Sequence, residues 1–276
     1  MNPSAGPRRG RGVGVQAAGK VAVITGASRG LGAGMAAHFA GSGLHLGLCA
    51  RHRPALAART RPRAHDGLVE AAETPVLAAV DVTDPAALDR FAHEVVARFG
   101  RIDLWVNNAG LLGPIAPLAL ADPAAVARTV EVDVVGVLHG SAVFARHVRG
   151  RPGGGVLVNV SSGAASTPYE GWAAYGASKA AVDQLTRVVA LEEGRHGLRA
   201  HAVSPGLVDT DMQAAIRAAD EHSFPQVERF RRAAAEHAFN SPAWVAEHLL
   251  ALAFGEHPPE DVVLRIPEQP APGRSG

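Results

Sequence analysis

Between residues 21 and 266 of the 276-residue chain, short apolar and β-branched runs alternate with longer stretches rich in alanine, leucine and charge. Repeated strand, crossover helix and strand units produce this rhythm, which predicts a parallel sheet. Residues 21–25, 44–49, 76–80, 104–107, 156–160, 198–203 and 262–266 read as its seven strands. Each is near-continuously apolar, as a strand covered on both faces must be. Asp84-Pro85-Ala86-Ala87-Leu88 has the form of a capped helix start with proline at the first helical position, and Gly100 follows the helix that runs from there to Phe99. The expected fold is α/β, a doubly wound sheet of about seven parallel strands with helices on both faces. Ligands in such a fold gather at the carboxyl ends of the strands.

With 47% of its residues hydrophobic, a chain of this length suits one large core better than two small ones. One domain is expected over residues 20–266. Residues 1–19 carry glycine, proline and arginine without an apolar period and read as a disordered tail, and 267–276 as a loose end. Lys plus Arg number 27 against 26 Asp plus Glu, so no net field favours nucleic acid or a membrane surface. A small molecule is the expected partner. The single cysteine, Cys49, cannot form an internal disulfide, and neither a signal-peptide pattern nor a bilayer-spanning run is visible, which predicts a soluble cytoplasmic protein. The 13 histidines are scattered without ligand spacing, so no metal is expected.

Directly after the first strand stands Thr25-Gly26-Ala27-Ser28-Arg29-Gly30-Leu31-Gly32, and a helical run follows. Glycines at this spacing let the backbone turn tightly, approach a pyrophosphate, and aim the free N–H groups of a helix start at its charge. A glycine-rich loop alone is often an ordinary turn. Between a strand and a helix it reads as the phosphate loop of a Rossmann-type dinucleotide site. Further along, Tyr175 and Lys179 stand four residues apart, which on a helix places them on one face, one turn from each other. A free phenol titrates at a pKa of about 10, too high for an efficient proton shuttle near neutrality, and a neighbouring ammonium favours the phenolate.

These residues resemble the short-chain dehydrogenase/reductase family. The spacing Thr-Gly-x-x-x-Gly-x-Gly is shared with it, and three more blocks agree in order: Asn107-Asn108-Ala109-Gly110 after the fourth strand, Ser162 ahead of Tyr175-Gly176-Ala177-Ser178-Lys179, and Pro205-Gly206-Leu207-Val208-Asp209-Thr210 after the sixth. The resemblance covers roughly residues 20–266. It implies that a bound nicotinamide carries the hydride, Ser162 holds the substrate carbonyl, Tyr175 protonates its oxygen, and Lys179 bonds the nicotinamide ribose. Cofactor contacts are implied for Gly26, Ser28, Arg29, Gly30, Leu31, Gly32, Asn107, Asn108, Ala109, Gly110, Tyr175, Lys179, Pro205, Gly206, Val208 and Thr210. Ser161 is left as a strand-end hydrogen bonder. Family members commonly pair through the tyrosine helix and the one before it, which implies a homodimer or homotetramer.

The second strand ends in Leu48-Cys49-Ala50-Arg51-His52-Arg53. Similar enzymes that use NAD carry an aspartate about where Ala50 stands, to bond the adenosine ribose hydroxyls. Here Arg51 and Arg29 are placed to clamp a 2′-phosphate instead, so NADP(H) is expected over NAD(H). Arg53, Arg59, Arg61 and Arg63 read as solvated. Asp81-Val82, ending the third strand, resembles the pair that holds the adenine edge, with helix capping as the alternative role for Asp81.

One position departs from the family pattern. Where most members carry Asn-x-x-Gly on the helix before the fifth strand, this chain has Asp133-Val134-Val135-Gly136. The family asparagine helps hold a water that links the lysine to solvent. An aspartate also accepts a hydrogen bond, but its charge can pair with Lys179 and alter the effect of the ammonium on the tyrosine. Asp133 therefore joins Ser162, Tyr175 and Lys179 as a catalytic candidate. Two readings follow: an NADPH-dependent reductase of ketones or vicinal dicarbonyls, with alcohol oxidation as its reverse, and an NADP-binding regulatory protein whose turnover Asp133 has weakened or abolished.

Residues 159–179 (NVSSGAASTPYEGWAAYGASK) and 209–217 (DTDMQAAIR), with Phe224-Pro225 and Ser241-Pro242, resemble the sepiapterin reductase and benzil reductase branch of the family. That implies a carbonyl beside an aromatic or pteridine group. Residues 210–241 form the implied substrate lid, in which Met212, Ile216, Phe224, Phe230 and Phe239 are candidates to close the pocket. Tyr169, Trp172, Met212 and Ser162 are the expected substrate contacts, and Trp105 and Trp244 are assigned to the core.

Overall fold

The computed structural model describes residues 17–55 and 73–270. Its strands are β1 (Val21–Thr25), β2 (His45–Ala50), β3 (Val76–Ala79), β4 (Leu104–Asn107), β5 (Gly155–Val160), β6 (Leu198–Ser204) and β7 (Val263–Arg265). All pair in parallel, in the order β3-β2-β1-β4-β5-β6-β7. The chain builds outward from β1 through β2 to β3, then crosses back to β4 on the other side of β1. This reversal opens a crevice above the carboxyl ends of β1 and β4.

Alternation along each strand divides the core in two. Ala22, Ile24, Leu46, Leu48, Leu104, Val106, Val156 and Val158 point to one face, where they meet Met35 and Phe39 of α1 (Gly30–Gly41) and Val245 and Leu249 of α8 (Pro242–Phe254). Val21, Val23, Cys49, Trp105 and Leu157 point to the other. There they meet Leu88 and Phe91 of α2 (Pro85–Phe99), Phe144 of α4 (Gly136–Arg149) and Val189 of α5 (Ala173–Glu193). Burial on both faces is why the strands read as unbroken apolar runs.

The helix starts follow the sequence signals. Asp84 accepts the Ala87 N–H at 3.0 Å to cap α2, and Gly100 ends the helix in the left-handed region at φ 79°. Asp122 caps α3 (Pro123–Val130), and Ser241 caps α8. A five-residue π turn, Glu131–Val135, carries α3 into α4 without a break. Two shorter helices, α6 (Asp211–Arg217) and α7 (Val227–Ala235), follow β6 within the expected lid.

The ordered domain extends past both expected boundaries. Ala17 is buried, and the Gly19 N–H donates to the Gly43 carbonyl, so residues 17–19 belong to the domain and not to a tail. Pro267 accepts hydrogen bonds from Trp244 Nε1 and Asn240 Nδ2, and Gln269 exchanges two with Asn240 and Ser241. Residues 267–270 are thereby tied to the start of α8. The rest of both expected tails, and Arg59, Arg61 and Arg63, lie outside the described residues. Trp105 is fully buried as expected, and Trp244 packs half-buried against the core while its indole N–H serves this C-terminal tie. Cys49 is a free, buried thiol that burial pushes up to about 12, which leaves it unreactive. Among the described residues, no helix is long and apolar enough to cross a membrane, and no cluster of metal-ligating side chains occurs.

Candidate active site

The carboxyl ends of the central strands and the two lid helices enclose a cleft of about 1170 Å³. Its first wall is the glycine-rich loop. Gly26 turns back at φ +67° against β4, so close that a Cβ would lie 2.7 Å from the Ala109 Cα. Asn108 locks the two segments together: its side-chain amide donates to the Thr25 and Gly26 carbonyls at 3.0 and 3.2 Å, while its N–H and that of Ala109 share Thr25 Oγ1. Unlike α2, α3 and α8, α1 begins without a side-chain cap. Its free N–H groups therefore stand ready for an anion at the cleft wall. The loop, the uncapped helix and the volume of the cleft fit a dinucleotide, whose phosphates Gly26, Ser28, Arg29, Gly30, Leu31 and Gly32 would face.

The second wall carries the chemistry. Tyr175 and Lys179 lie on one face of α5, 8% and 5% exposed, with Lys179 Nζ 5.6 Å from the centre of the phenol ring. Lys179 Nζ donates to the Val160 carbonyl at 2.9 Å, an anchor on β5 that the sequence did not reveal. Ser162 stands in extended backbone just past β5, and its Oγ accepts the Ala164 N–H at 3.2 Å. That bond uses a lone pair and leaves the O–H to donate into the cleft. Neighbouring Ser161 also borders the cleft, but its hydroxyl donates to Asp183 Oδ1 at 2.5 Å, the strand-end role expected of it.

Asp133 sits behind this group, fully buried in the π turn. Its Oδ1 accepts the Leu111 N–H at 2.7 Å, and its Oδ2 lies 3.8 Å from Lys179 Nζ with no hydrogen-bond partner among the described residues. Burial pushes its carboxyl above the ordinary range, more than the Lys179 ammonium and the Leu111 N–H pull it back. The aspartate is thus in the second layer, touching the lysine and not the cleft.

At the far end of the cleft, Arg51 and Arg29 are both exposed on the wall. Arg29 already bonds Asp211, the first residue of α6, at 3.1 Å. Asp81 and Val82 line the same end. Burial works against the charge of Asp81, but bonds from the Thr83 N–H and hydroxyl and from Arg128 at 2.8 Å hold its carboxyl below the ordinary range. An adenine edge would share this carboxylate with Arg128, which had no signal in the sequence. Asp84 alone caps α2, so the capping alternative for Asp81 does not hold.

Asn107 needs correction as a cofactor contact. It is buried below the cleft, accepting Trp105 Nε1 at 2.8 Å and donating to Asn159 at 2.8 Å and to Ser141. Its polar atoms are consumed in tying β4 to β5 and α4. Asn108, Ala109, Gly110, Pro205, Gly206, Val208 and Thr210 do line the cleft.

Over the substrate end, Trp172 stacks on Phe224 at 4.7 Å, meets Tyr175 edge-on at 5.6 Å, and touches Tyr169 and Phe230. Ile216, Phe224, Val227 and Phe230 of the lid are buried in this cluster, and Met212 is half-buried against it. Phe239 stays outside, under the Arg217 guanidinium. The lid's two ends meet where Val208 bridges Asn240.

A model of the short chain dehydrogenases matches residues 20–221. The chain belongs to the short chain dehydrogenase family. It is 35% identical to the benzil reductase ((S)-benzoin forming) of Bacillus subtilis over 157 residues, which span 56% of this chain and 64% of that protein. It is 34% identical to the 3beta-hydroxysteroid dehydrogenase 1 of Eggerthella lenta over 214 residues, 75% of this chain and 80% of that one. The solved structure of the 3-ketoacyl-(acyl-carrier-protein) reductase from Brucella melitensis, complexed with NADH, is similar with a TM-score of 0.74 at 26% identity, covering 91% of this chain and 97% of that one. This short chain dehydrogenase is accordingly an oxidoreductase of CH–OH and carbonyl groups with a nicotinamide cofactor, on the benzil reductase-like side of its family.

Proposed function

We propose that the protein is an NADPH-dependent reductase of ketones or vicinal dicarbonyls in which Tyr175 gives the proton. The observation that carries this reading is the meeting of Tyr175, Lys179 and Ser162 on one wall of a cleft whose other wall fits a dinucleotide. When bound, the nicotinamide supplies the hydride. Ser162 donates to the carbonyl oxygen and fixes its position. Tyr175 passes its phenolic proton to that oxygen as negative charge builds there. Lys179, 5.6 Å from the ring and shielded from water, stabilises the charge left on the phenol. Trp172, Phe224 and Phe230 exclude water above these groups.

The absence of an acid at Ala50 and the presence of Arg51 and Arg29 at that end of the cleft favour NADPH over NADH. Four of the six large hydrophobic residues most exposed among those described, Val130, Leu138, Val188 and Leu191, lie on α3, α4 and α5. They favour a homodimer or homotetramer built on these helices, which sedimentation velocity reads directly. A lone, unreactive thiol suits a reducing compartment such as the cytoplasm. Asp133 supports a second reading, an NADP-binding protein with little turnover, because its carboxylate faces Lys179 at 3.8 Å. Purified protein given NADPH and a panel of dicarbonyls separates the two. NADPH consumption supports the reductase, and tight NADPH binding with no consumption supports the second reading.

A further inference from the structure

Five of the nine Asp, Glu and Arg side chains of residues 210–241 are held in ion pairs. Arg217 pairs with Asp209, Arg231 with Glu221 and Glu228, and Asp211 with Arg29. Arg229 lines the cleft from α7, yet no carboxylate among the described residues lies within salt-bridge distance of it. Its partner is Tyr169: Nη1 donates to the phenol oxygen at 3.1 Å, and the guanidinium carbon stands 5.9 Å from the ring centre. Arg232, also on the cleft side, likewise has no carboxylate within salt-bridge distance among the described residues, and what sets Arg229 apart is that its guanidinium reaches the aromatic end through Tyr169.

The groups around it are donors. Four guanidinium N–H groups of Arg229 have no partner among the described residues, and Tyr169, accepting from the arginine, keeps its own O–H to give. Trp172, on the same wall, buries an indole N–H without an acceptor among the described residues. Donors grouped around an unpaired guanidinium call for a group that only accepts, and a carboxylate is the group of that kind whose geometry matches the guanidinium fork. Its distance from the reaction is set by the rings between: Tyr169 stands 4.9 Å from Trp172, and Trp172 5.6 Å from Tyr175. Resting on the carbonyl reductase reading, we infer that the substrate is a ring-bearing ketone or diketone with a carboxylate on the side of the ring away from the carbonyl, received by Arg229 together with Tyr169.

The test compares 1-phenylpropane-1,2-dione carrying a para carboxylate with the same dione carrying a para carboxamide. The wild-type enzyme is expected to favour the carboxylate in kcat/KM by about tenfold, mainly through KM, and less so as salt is raised. Arg229→Gln should bring the ratio close to one, and Arg229→Lys should keep part of it. A parallel titration follows quenching of tryptophan fluorescence when 4-carboxybiphenyl or its carboxamide binds the NADPH-loaded protein. Carboxylate binding that depends on Arg229, with neither dione reduced, would uphold the anion site and remove the reductase reading. Equal use of both diones by the wild type, or a preference for the carboxylate that survives in Arg229→Gln, would overturn the inference.

Discussion

At the residue scale the most consequential side chain is Asp133, since it puts a buried carboxyl where the family carries a neutral amide. Burial raises its pKa in the folded protein, so between the ordinary carboxylate range and that raised value the native state binds more protons than the unfolded one. Stability from this group is therefore present at acid pH and is lost as pH rises through the folded value. Asp133→Asn is expected to gain thermal stability over the wild type as pH goes from 4 to 8, with little difference at the acid end. A difference that is flat across this range would mean that Asp133 does not titrate as its burial requires. In kinetics, the same variant leaves the Lys179 ammonium uncompensated, so the loss of reductase activity on raising pH should set in at lower pH than in the wild type. Cofactor choice also rests on single side chains. Arg51→Asp should lower the ratio of kcat/KM for NADPH to that for NADH by tenfold or more, about the value of one good charge-assisted contact. An unaltered ratio would show that Arg51 does not hold the 2′-phosphate.

Elements were legible wherever a local signal and the global fold agreed. The helix α2 is the clearest case: Asp84, Pro85 and Gly100 marked its ends, and the cap, the first-turn proline and the left-handed glycine all formed there. Asp84→Ala removes the bond to the Ala87 N–H and should cost about 1 kcal/mol, a fall in Tm of about 2 to 4 °C that differential scanning calorimetry resolves. A Tm within error of the wild type would show that the cap is not contributing. What the sequence did not disclose were contacts between distant segments. The Val160 carbonyl that anchors Lys179, the Leu111 N–H that holds Asp133 and the Arg128 bonded to Asp81 carry no pattern of their own, since each depends on how loops from different strands meet. Asn107 shows the converse, because a motif residue in the expected place spends its amide on the sheet beneath the site.

At the scale of the whole molecule, seven parallel strands reverse direction of growth at β1, and everything chemical collects above that point. This much was visible in the spacing of apolar runs, since strands covered on both faces must be apolar throughout. The ends of the domain were less visible. Ala17 and Gln269 belong to it through burial and hydrogen bonds that composition does not report. The aromatic lid was visible only in part, for Phe224 and Phe230 meet Trp172 while Phe239 does not, and only the tertiary fold separates them. Cleft, lid and the group of Ser162, Tyr175 and Lys179 together make one claim, that Tyr175 delivers the proton to a carbonyl. The most direct measurement is NADPH consumption with a vicinal dicarbonyl by the wild type and by Tyr175→Phe, with NADPH binding followed in both. Consumption that falls by a factor of about 10² to 10⁴ in the variant, with NADPH still bound, is the predicted result. Consumption at an undiminished rate in Tyr175→Phe would contradict it.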